Sequence, residues 1–183
     1  NVATIDVMML YTAEALADAN GHAQMRNFAQ HQIDLSNQVF ANSLVADVRY
    51  RLRHVAYSTF PDGLSSSQTL LSLTDQPWLP LMRSSYGVDT VILVVGHFSD
   101  NTIAGRAWAQ QSPGPHFAPR AVGVVKYGIS VLELVVTHEA GHILGMEHDP
   151  ASSSATPETA SFPWSFGHTA TVNDNSSFTT REM

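Results

Sequence analysis

The sequence predicts an α/β (α+β) fold in which helices pack on a twisted, mixed five-stranded sheet. Strand-like and helix-like segments alternate along the chain. The run Asp89–Gly96 (DTVILVVG) is apolar and mostly β-branched, which is typical of a strand buried on both faces. Gly21–Ala41 carries apolar residues at helical spacing, which predicts one long amphipathic helix. At 183 residues the chain can bury a substantial core.

The order of the elements follows from the hydrophobic pattern and from the Gly, Pro and capping residues that interrupt it. The predicted strands are Thr4–Tyr11, Leu44–Tyr57, Asp89–Gly96, Ile103–Gln110 and Arg120–Tyr127. The predicted helices are Gly21–Ala41, Ser65–Leu73 and a third that opens at Ser130, with Glu133 as its capping-box partner, and ends at Gly145. Ile103–Gln110 has the weakest pattern and contains Gly105, so we expect it at an edge of the sheet. The three prolines in Ser112–Pro119 predict a loop.

The C-terminal part has a different composition from the rest. After Asp149 the sequence is dominated by Ser, Thr, Ala, Pro and Asn, so we expect little regular structure there. We therefore predict one domain with two lobes, residues 1–145 with the sheet and helices and residues 146–183 as a small irregular lobe.

Charge and composition exclude several classes of function. The net charge of −7 disfavours nucleic acid and anionic membranes as partners, because both need a basic surface. No apolar run is long enough for a membrane span. The chain contains no cysteine, so any metal site must use His, Asp and Glu. It begins at Asn1 and contains no signal peptide, so we expect an N-terminus made by processing or by trimming.

Residues 137–149, THEAGHILGMEHD, predict a catalytic metal site. His138 and His142 are four residues apart, so on a helix they lie on one face and can bind one zinc ion. Gly145 ends the helix and lets the chain reverse, which brings His148 back to the metal. Three histidines leave zinc an open position for water, and Glu139 is placed to act as the general base.

Less specific interpretations of this stretch exist. The three histidines could be unrelated surface residues, or they could hold a structural zinc ion. No fourth protein ligand follows at short spacing, however, which favours the open catalytic site. Asp149 is either a buried carboxylate that orients the motif or an ordinary turn residue.

The motif H-E-x-x-H-x-x-G-x-x-H resembles that of the metzincin zinc peptidases, and Asp149 after the third histidine resembles the adamalysin/reprolysin-like branch. The segments IDVMMLYT, QVFANSLVADVRYRLRHV, DTVILVV and FAPRAVGVV also resemble the bacterial peptidyl-Asp metallopeptidases. The resemblance implies a metzincin-type catalytic domain with a backing helix and an active-site helix. It further implies a secreted bacterial endopeptidase, made with a propeptide, that cleaves before Asp.

The resemblance also assigns residues. His138, His142 and His148 match the ligands of one catalytic zinc ion, and Glu139 matches the catalytic glutamate. The predicted substrate-binding edge comprises Ile103, Ala104, Gly105, Arg106, Ala107 and Trp108. Met183 matches the methionine of the Met-turn, which with Gly145 and Asp149 would support the site.

Two features depart from this pattern. Cysteines expected between the edge strand and the active-site helix are missing, so packing or a bound ion must hold that region; the sequence itself gives no support for calcium. The chain also ends at Met183, where relatives continue. Either the natural chain extends further or the Met-turn match is accidental, and we expect the former.

We therefore predict a secreted zinc endopeptidase acting on polypeptides, and a monomer. The competing hypotheses are a catalytically weak relative that binds peptides or a host protein, and a zinc hydrolase with another substrate. A pocket that selects Asp needs a cation, and the sequence leaves four candidates: Arg106, Arg120, Lys126 and Arg181.

Overall fold

A computed structural model describes residues 2–131, 134–174 and 176–182, with the backbone alone from residue 169 onward. The described strands are β1 Ala3–Tyr11, β2 Val48–Tyr57, β3 Thr90–Val95, β4 Gly105–Ala107, β5 Val122–Lys126, β6 His168–Asp174 and β7 Ser176–Glu182. The described helices are α1 Ala13–Asp18, α2 His22–Asn42, α3 Ser66–Thr74, α4 Leu79–Tyr86, α5 Tyr127–Ser130 and α6 Val135–Ile143.

The main sheet has five strands in the order β2-β1-β3-β5-β4. The first four are parallel, and β4 pairs antiparallel with β5 at one edge. The mixed five-stranded sheet predicted from the sequence is therefore confirmed. The edge prediction for Ile103–Gln110 is also confirmed, although only Gly105–Ala107 forms a regular strand.

The centre of the sheet is buried on both faces, and its middle strand β3 is apolar at every position after Thr90. Ile92 and Val94 pack on the side of α2 and α6, whereas Val91, Leu93 and Val95 pack on the side of α3 and α4. Every residue of β3 is buried. This two-sided burial is what a continuous apolar run in a parallel sheet requires.

Several element boundaries differ from the predictions. The active-site helix begins at Val135, not at Ser130, which instead ends the short α5. Glu133 lies outside the described residues, so its capping role stays a prediction. The second strand begins at Val48, because Leu44 has a φ of +59° in the turn that follows α2.

Several short elements were not predicted. α1 and α4 have only six and eight residues, too few for a clear helical period. Residues Pro115–Arg120 form a 3₁₀ helix inside the predicted loop. The strands β6 and β7 form a hairpin within the C-terminal region that was predicted to be irregular.

Polar contacts fix α6 against its neighbours. The Ser36 hydroxyl on α2 lies 2.8 Å from the Thr137 hydroxyl, and the buried Tyr50 hydroxyl donates to the Ala140 carbonyl at 3.3 Å. Gln32 donates to the Ser130 carbonyl at 2.8 Å, just before α6. These bonds hold the helix in register with the sheet edge that it packs against. Within the described part of the chain, no helix is both long and apolar enough to span a membrane.

Candidate metal centre and active site

The active-site helix has an apolar face and a histidine face. Val135, Val136, Ala140 and Ile143 are buried in the core. His138 and His142 lie one turn apart, so their rings are neighbours, with centroids 4.8 Å apart. The pattern of the core residues therefore sets which way the two imidazoles face.

The turn after α6 is closed by hydrogen bonds to the last carbonyls of the helix. The Gly145 N–H donates to the His142 carbonyl at 2.9 Å, and the Met146 N–H donates to the Gly141 carbonyl at 2.9 Å. This pair of bonds is a Schellman motif, which needs a left-handed residue at Gly145. Gly145 has a φ of +91°, as the sequence predicted.

This reversal brings His148 to the other two histidines. The Nε2 atom of His148 lies 3.0 Å from Nε2 of His138 and 3.2 Å from Nε2 of His142. The Nε2 atoms of His138 and His142 are also 3.2 Å apart. Three ring nitrogens from two chain segments therefore converge on one point, as a metal site requires.

The chemistry of the three nitrogens fits a metal ion. Zn–N bonds of about 2.0–2.1 Å at tetrahedral angles put ligand nitrogens roughly 3.3 Å apart, close to the separations seen here. His142 directs Nδ1 at the Met146 carbonyl, 2.8 Å away, so Nδ1–H donates there and Nε2 keeps its lone pair. Burial lowers the pKa of His142, which favours the neutral form that binds metal.

Glu139 directly follows His138 on α6, and its side chain is buried in the protein. The residue is 5% exposed, and its Oε2 atom has no hydrogen-bond partner among the described residues. Burial raises the pKa of Glu139 to about 8, while the charge of Arg106 acts in the opposite direction. An unsatisfied buried carboxylate with a raised pKa is suited to accepting a proton.

The predicted substrate edge is partly regular strand and partly turn. Ile103 bonds back to the Asp100 carbonyl at 3.0 Å and precedes the strand. The Ala104 carbonyl accepts from Lys126 N–H at 2.8 Å, and Trp108 N–H donates to the Val122 carbonyl at 3.4 Å. Because backbone groups alternate in direction along an antiparallel strand, those of Gly105 and Ala107 face away from β5.

Two side chains of this edge point to the opposite face of the sheet from Glu139. Arg106 Nε donates to the Ser66 hydroxyl at 3.0 Å, and Trp108 Nε1 donates to the Thr74 hydroxyl at 2.9 Å, both on α3. The Arg120 guanidinium lies 4.8 Å from the centroid of the Trp108 ring. These contacts attach the edge to α3.

Two segments distant in sequence support the turn that carries His148. The Gln110 N–H donates to the His142 carbonyl at 3.0 Å, and the Gln110 carbonyl accepts from the Ser161 hydroxyl. The Glu147 N–H donates to the Ser165 carbonyl at 2.7 Å. The supporting roles of Gln110, Ser161 and Ser165 could not be predicted from the sequence, because these polar contacts leave no local pattern.

Glu147 was also missed, although it lies inside the motif. It is 7% exposed, its Oε2 accepts from the Ser153 hydroxyl at 3.1 Å, and its Oε1 has no partner within the described part of the chain. Asp149 caps the next turn, because its carboxylate accepts from the Ala151 N–H at 3.1 Å. Whether Asp149 also orients the motif stays a prediction, as does the Met-turn, because Met183 lies outside the described residues.

Comparison with known proteins places this site in a family. A reprolysin family model, described as metallo-peptidase family M12, matches residues 1–179. A peptidyl-Asp metalloendopeptidase of Pseudomonas aeruginosa is 28% identical over 182 residues. The match covers 90% of this chain but only 30% of that relative.

A solved structure has the same fold. It is titled "Structure of a chaperone-substrate complex" and is similar with a TM-score of 0.67 at 19% identity, covering 90% of this chain and 28% of that one. At this identity the similarity concerns the fold alone. The family match, by contrast, runs through the whole histidine motif and nearly the whole chain, and the chain belongs to metallo-peptidase family M12.

Proposed function

We propose that this chain is a zinc endopeptidase that hydrolyses extended polypeptides with Glu139 as the general base. The observation that carries the proposal is the convergence of three Nε2 atoms, 3.0–3.2 Å apart, two of them from the helix that also carries the buried Glu139. Membership of metallo-peptidase family M12 supports zinc and peptide hydrolysis as the chemistry.

The roles follow from the positions of the residues. His138, His142 and His148 would hold the zinc ion, which when bound would supply a Lewis acid for the substrate carbonyl. Glu139 takes a proton from the attacking water and delivers it to the leaving nitrogen. Its raised pKa suits both steps, because a base near neutrality can accept a proton and release it again.

The substrate would lie along β4 as an added strand. The outward backbone groups of Gly105 and Ala107 can pair with an extended peptide, which is a general mode of peptide recognition. The edge strand also packs against α6, so a peptide bound there passes close to Glu139. The predicted contacts of Ile103, Ala104, Arg106 and Trp108 with substrate belong to this proposal.

The first experiment measures digestion of casein by the zinc-loaded protein, with and without a chelator. We expect cleavage that stops on zinc removal and returns when zinc is added back. Glu139→Gln should retain zinc but lose at least about 100-fold in kcat, since general bases contribute on the order of 10²–10⁴-fold. The matched control is Glu158→Gln, at an exposed glutamate, which should behave as the wild type.

Three outcomes would contradict the assignment. Cleavage that survives complete zinc removal would exclude a zinc enzyme. Near-full activity of Glu139→Gln would exclude this residue as the base. A zinc-loaded protein that binds peptides but never cuts them would favour the catalytically weak binding relative.

We further propose that the enzyme prefers Asp after the scissile bond, as the name of the similar P. aeruginosa protein suggests for that protein. Arg106, Arg120 and Lys126 are the described candidate cations, and Arg181 is described for its backbone alone. Mass spectrometry of peptide-library products should show Asp on the C-terminal side of each cut. Charge-removing variants at the four positions would identify the one that abolishes the preference.

The remaining parts of the proposal concern the whole protein. We propose secretion, a propeptide in the precursor, a monomer, and two lobes at residues 1–145 and 146–183. The chain spans less than a third of the length of the similar P. aeruginosa protein, so these properties need the full-length precursor. Intact masses of the protein from cells and from medium would test processing and secretion, and light scattering would test the monomer.

A further inference from the structure

Strand β4 passes over the Glu139 side chain with no space between them. A Cβ atom at Gly105 would lie 2.7 Å from Glu139 Oε1, 2.8 Å from Glu139 Cγ and 2.9 Å from Val135 Cγ1. All three distances are under 3.0 Å, closer than a Cβ atom approaches a non-bonded heavy atom, so an added side chain would require a shift here. Only a residue without a side chain fits at this point of the edge strand.

The neighbouring contacts leave little room for adjustment. On the other side of Gly105, β4 is tied to β5 through the bonds of Ala104 and Trp108, and to α3 through Arg106 and Trp108. Beneath Glu139, α6 is fixed by Ser36 and Tyr50. The gap between strand and helix is therefore set by both elements, and the carboxylate fills it.

We propose that Gly105 is a positioning residue for the general base. Its bare Cα is the wall against which the Glu139 carboxylate rests, and this wall limits where the carboxylate can lie relative to His138 and His142 on the same helix. This role differs from the substrate pairing proposed above for its backbone groups, and it rests on the proposed function of Glu139. An added methyl group must move either the strand or the carboxylate.

The kinetic test is Gly105→Ala, assayed on a fluorogenic peptide with zinc content measured in parallel. We expect kcat to fall about 10- to 100-fold, since small misplacements of a reacting group cost up to about 10². Zinc content should stay within about twofold of the wild type, because none of the three atoms nearest to the added Cβ belongs to a histidine. KM should also stay within about twofold, because we expect the Glu139 side chain to move and the strand, which is bonded to β5 and α3, to stay in place. The control is Gly128→Ala on α5, where the added Cβ would meet no heavy atom within 4 Å apart from its chain neighbours and the backbone of its own helix.

A thermal-stability cycle separates contact with Glu139 from any other need for glycine. It compares Gly105→Ala, Glu139→Ala and the double variant in the metal-free protein. If the contact with Glu139 is what excludes a side chain at Gly105, Glu139→Ala should open space for the added methyl group. The melting temperature of the double variant should then lie at least about 4 °C above the value obtained by adding the effects of the two single variants. The stability cycle is informative even if Gly105→Ala is strongly destabilised, because the recovery is measured in the double variant.

The outcomes distinguish this inference from the proposed function. Wild-type kcat in Gly105→Ala, or strictly additive melting temperatures, would overturn the positioning role. A rise in KM with unchanged kcat would also overturn it, by assigning the glycine to substrate pairing alone. If the wild-type protein with zinc cuts no peptide, the proposed function fails, while the stability cycle still reports on the contact.

Discussion

The charge of Arg106 lies close enough to Glu139 to change its protonation. Burial raises the pKa of Glu139 to about 8, and Arg106 lowers it from the value that burial alone would give. Arg106 is itself held in place by its Nε bond to Ser66, whose hydroxyl and N–H bond to Asp100. Glu139 and the edge strand are thus electrostatically coupled.

We predict that Arg106→Gln narrows the pH range of activity at its acidic end. A general base works only when deprotonated, so the rate falls as pH drops through its pKa. Removing the positive charge raises the pKa of Glu139, which moves the acidic limb of the kcat profile to higher pH. The measurement is kcat against pH for the zinc-loaded enzyme.

Arg106→Lys is the matched control for this prediction. It keeps a positive charge but loses the fork geometry that bonds to Ser66, so its limb should stay nearer that of the wild type. An acidic limb that moves equally in both variants would show that Arg106 acts through the position of the strand and not through its charge.

At the residue scale, the convergence of the three histidines was predictable and the environment of Glu139 was not. The convergence of His138, His142 and His148 follows from two local rules. Residues four apart lie on one face of a helix, and a glycine after the helix lets the chain reverse. The burial of Glu139 depends on the distance between β4 and α6. That distance depends in turn on the contacts of β4 with β5 and α3. Such long-range packing leaves no trace in the spacing of the motif.

At the scale of elements, the turn after α6 joins the two segments that carry the ligands. Gly145 is enclosed as well as left-handed: a Cβ there would lie 2.8 Å from Ser161 Cβ and 3.1 Å from the Gln110 carbonyl oxygen, and would also collide with the Ser161 hydroxyl. The turn therefore packs against two segments that sequence analysis did not connect to it.

We predict that Gly145→Ala weakens zinc binding by at least about tenfold. A non-glycine residue at φ +91° is strained by roughly 1–3 kcal/mol, and the collision with Ser161 adds to this. The turn should relax by moving His148 away from His138 and His142. Competition with a chromogenic chelator measures the affinity, and the double variant Gly145→Ala/Ser161→Gly should recover only the part that is due to the collision.

Ion pairing between β1 and β2 gives a second prediction at this scale. Arg51 Nε donates to Asp6 Oδ1 at 2.5 Å, and this bond lowers the pKa of Asp6. A depressed pKa in the folded state adds stability above the unfolded pKa, near 3.9, and that stability disappears as pH falls through the folded value. The urea midpoint of Asp6→Asn should therefore lie below that of the wild type at pH 7 and approach it near pH 2.

The elements predicted from sequence were those with a strong, long pattern. β1, α2, β3 and β5 were found because each presents a continuous apolar run or a helical stripe of useful length. α6 was found, but its start was misplaced by five residues, because Ser130 looked like a cap and instead closes α5 by bonding back to the Lys126 carbonyl. Local capping rules could not separate these two uses of one serine.

At the scale of the whole molecule, the three histidines of the candidate metal site come from two differently anchored segments of the chain. Two ligands come from α6, which is anchored to the sheet and to α2, and the third comes from the turn attached to residues 161–167. A bound ion would tie these parts together in the folded state only, because the unfolded chain does not hold three imidazoles at one point.

We therefore predict that zinc raises the melting temperature of the metal-free protein. A ligand present at a thousand times its Kd stabilises the folded state by about 4 kcal/mol, which for a chain of this size corresponds to roughly 10 °C. The measurement is thermal melting by circular dichroism with and without zinc. His148→Ala should lose most of the shift, because its ring supplies one of the three nitrogens, whereas His31→Ala, at an exposed histidine on α2, should keep it. An equal zinc shift in the wild type and in His148→Ala would place the bound metal elsewhere on the molecule.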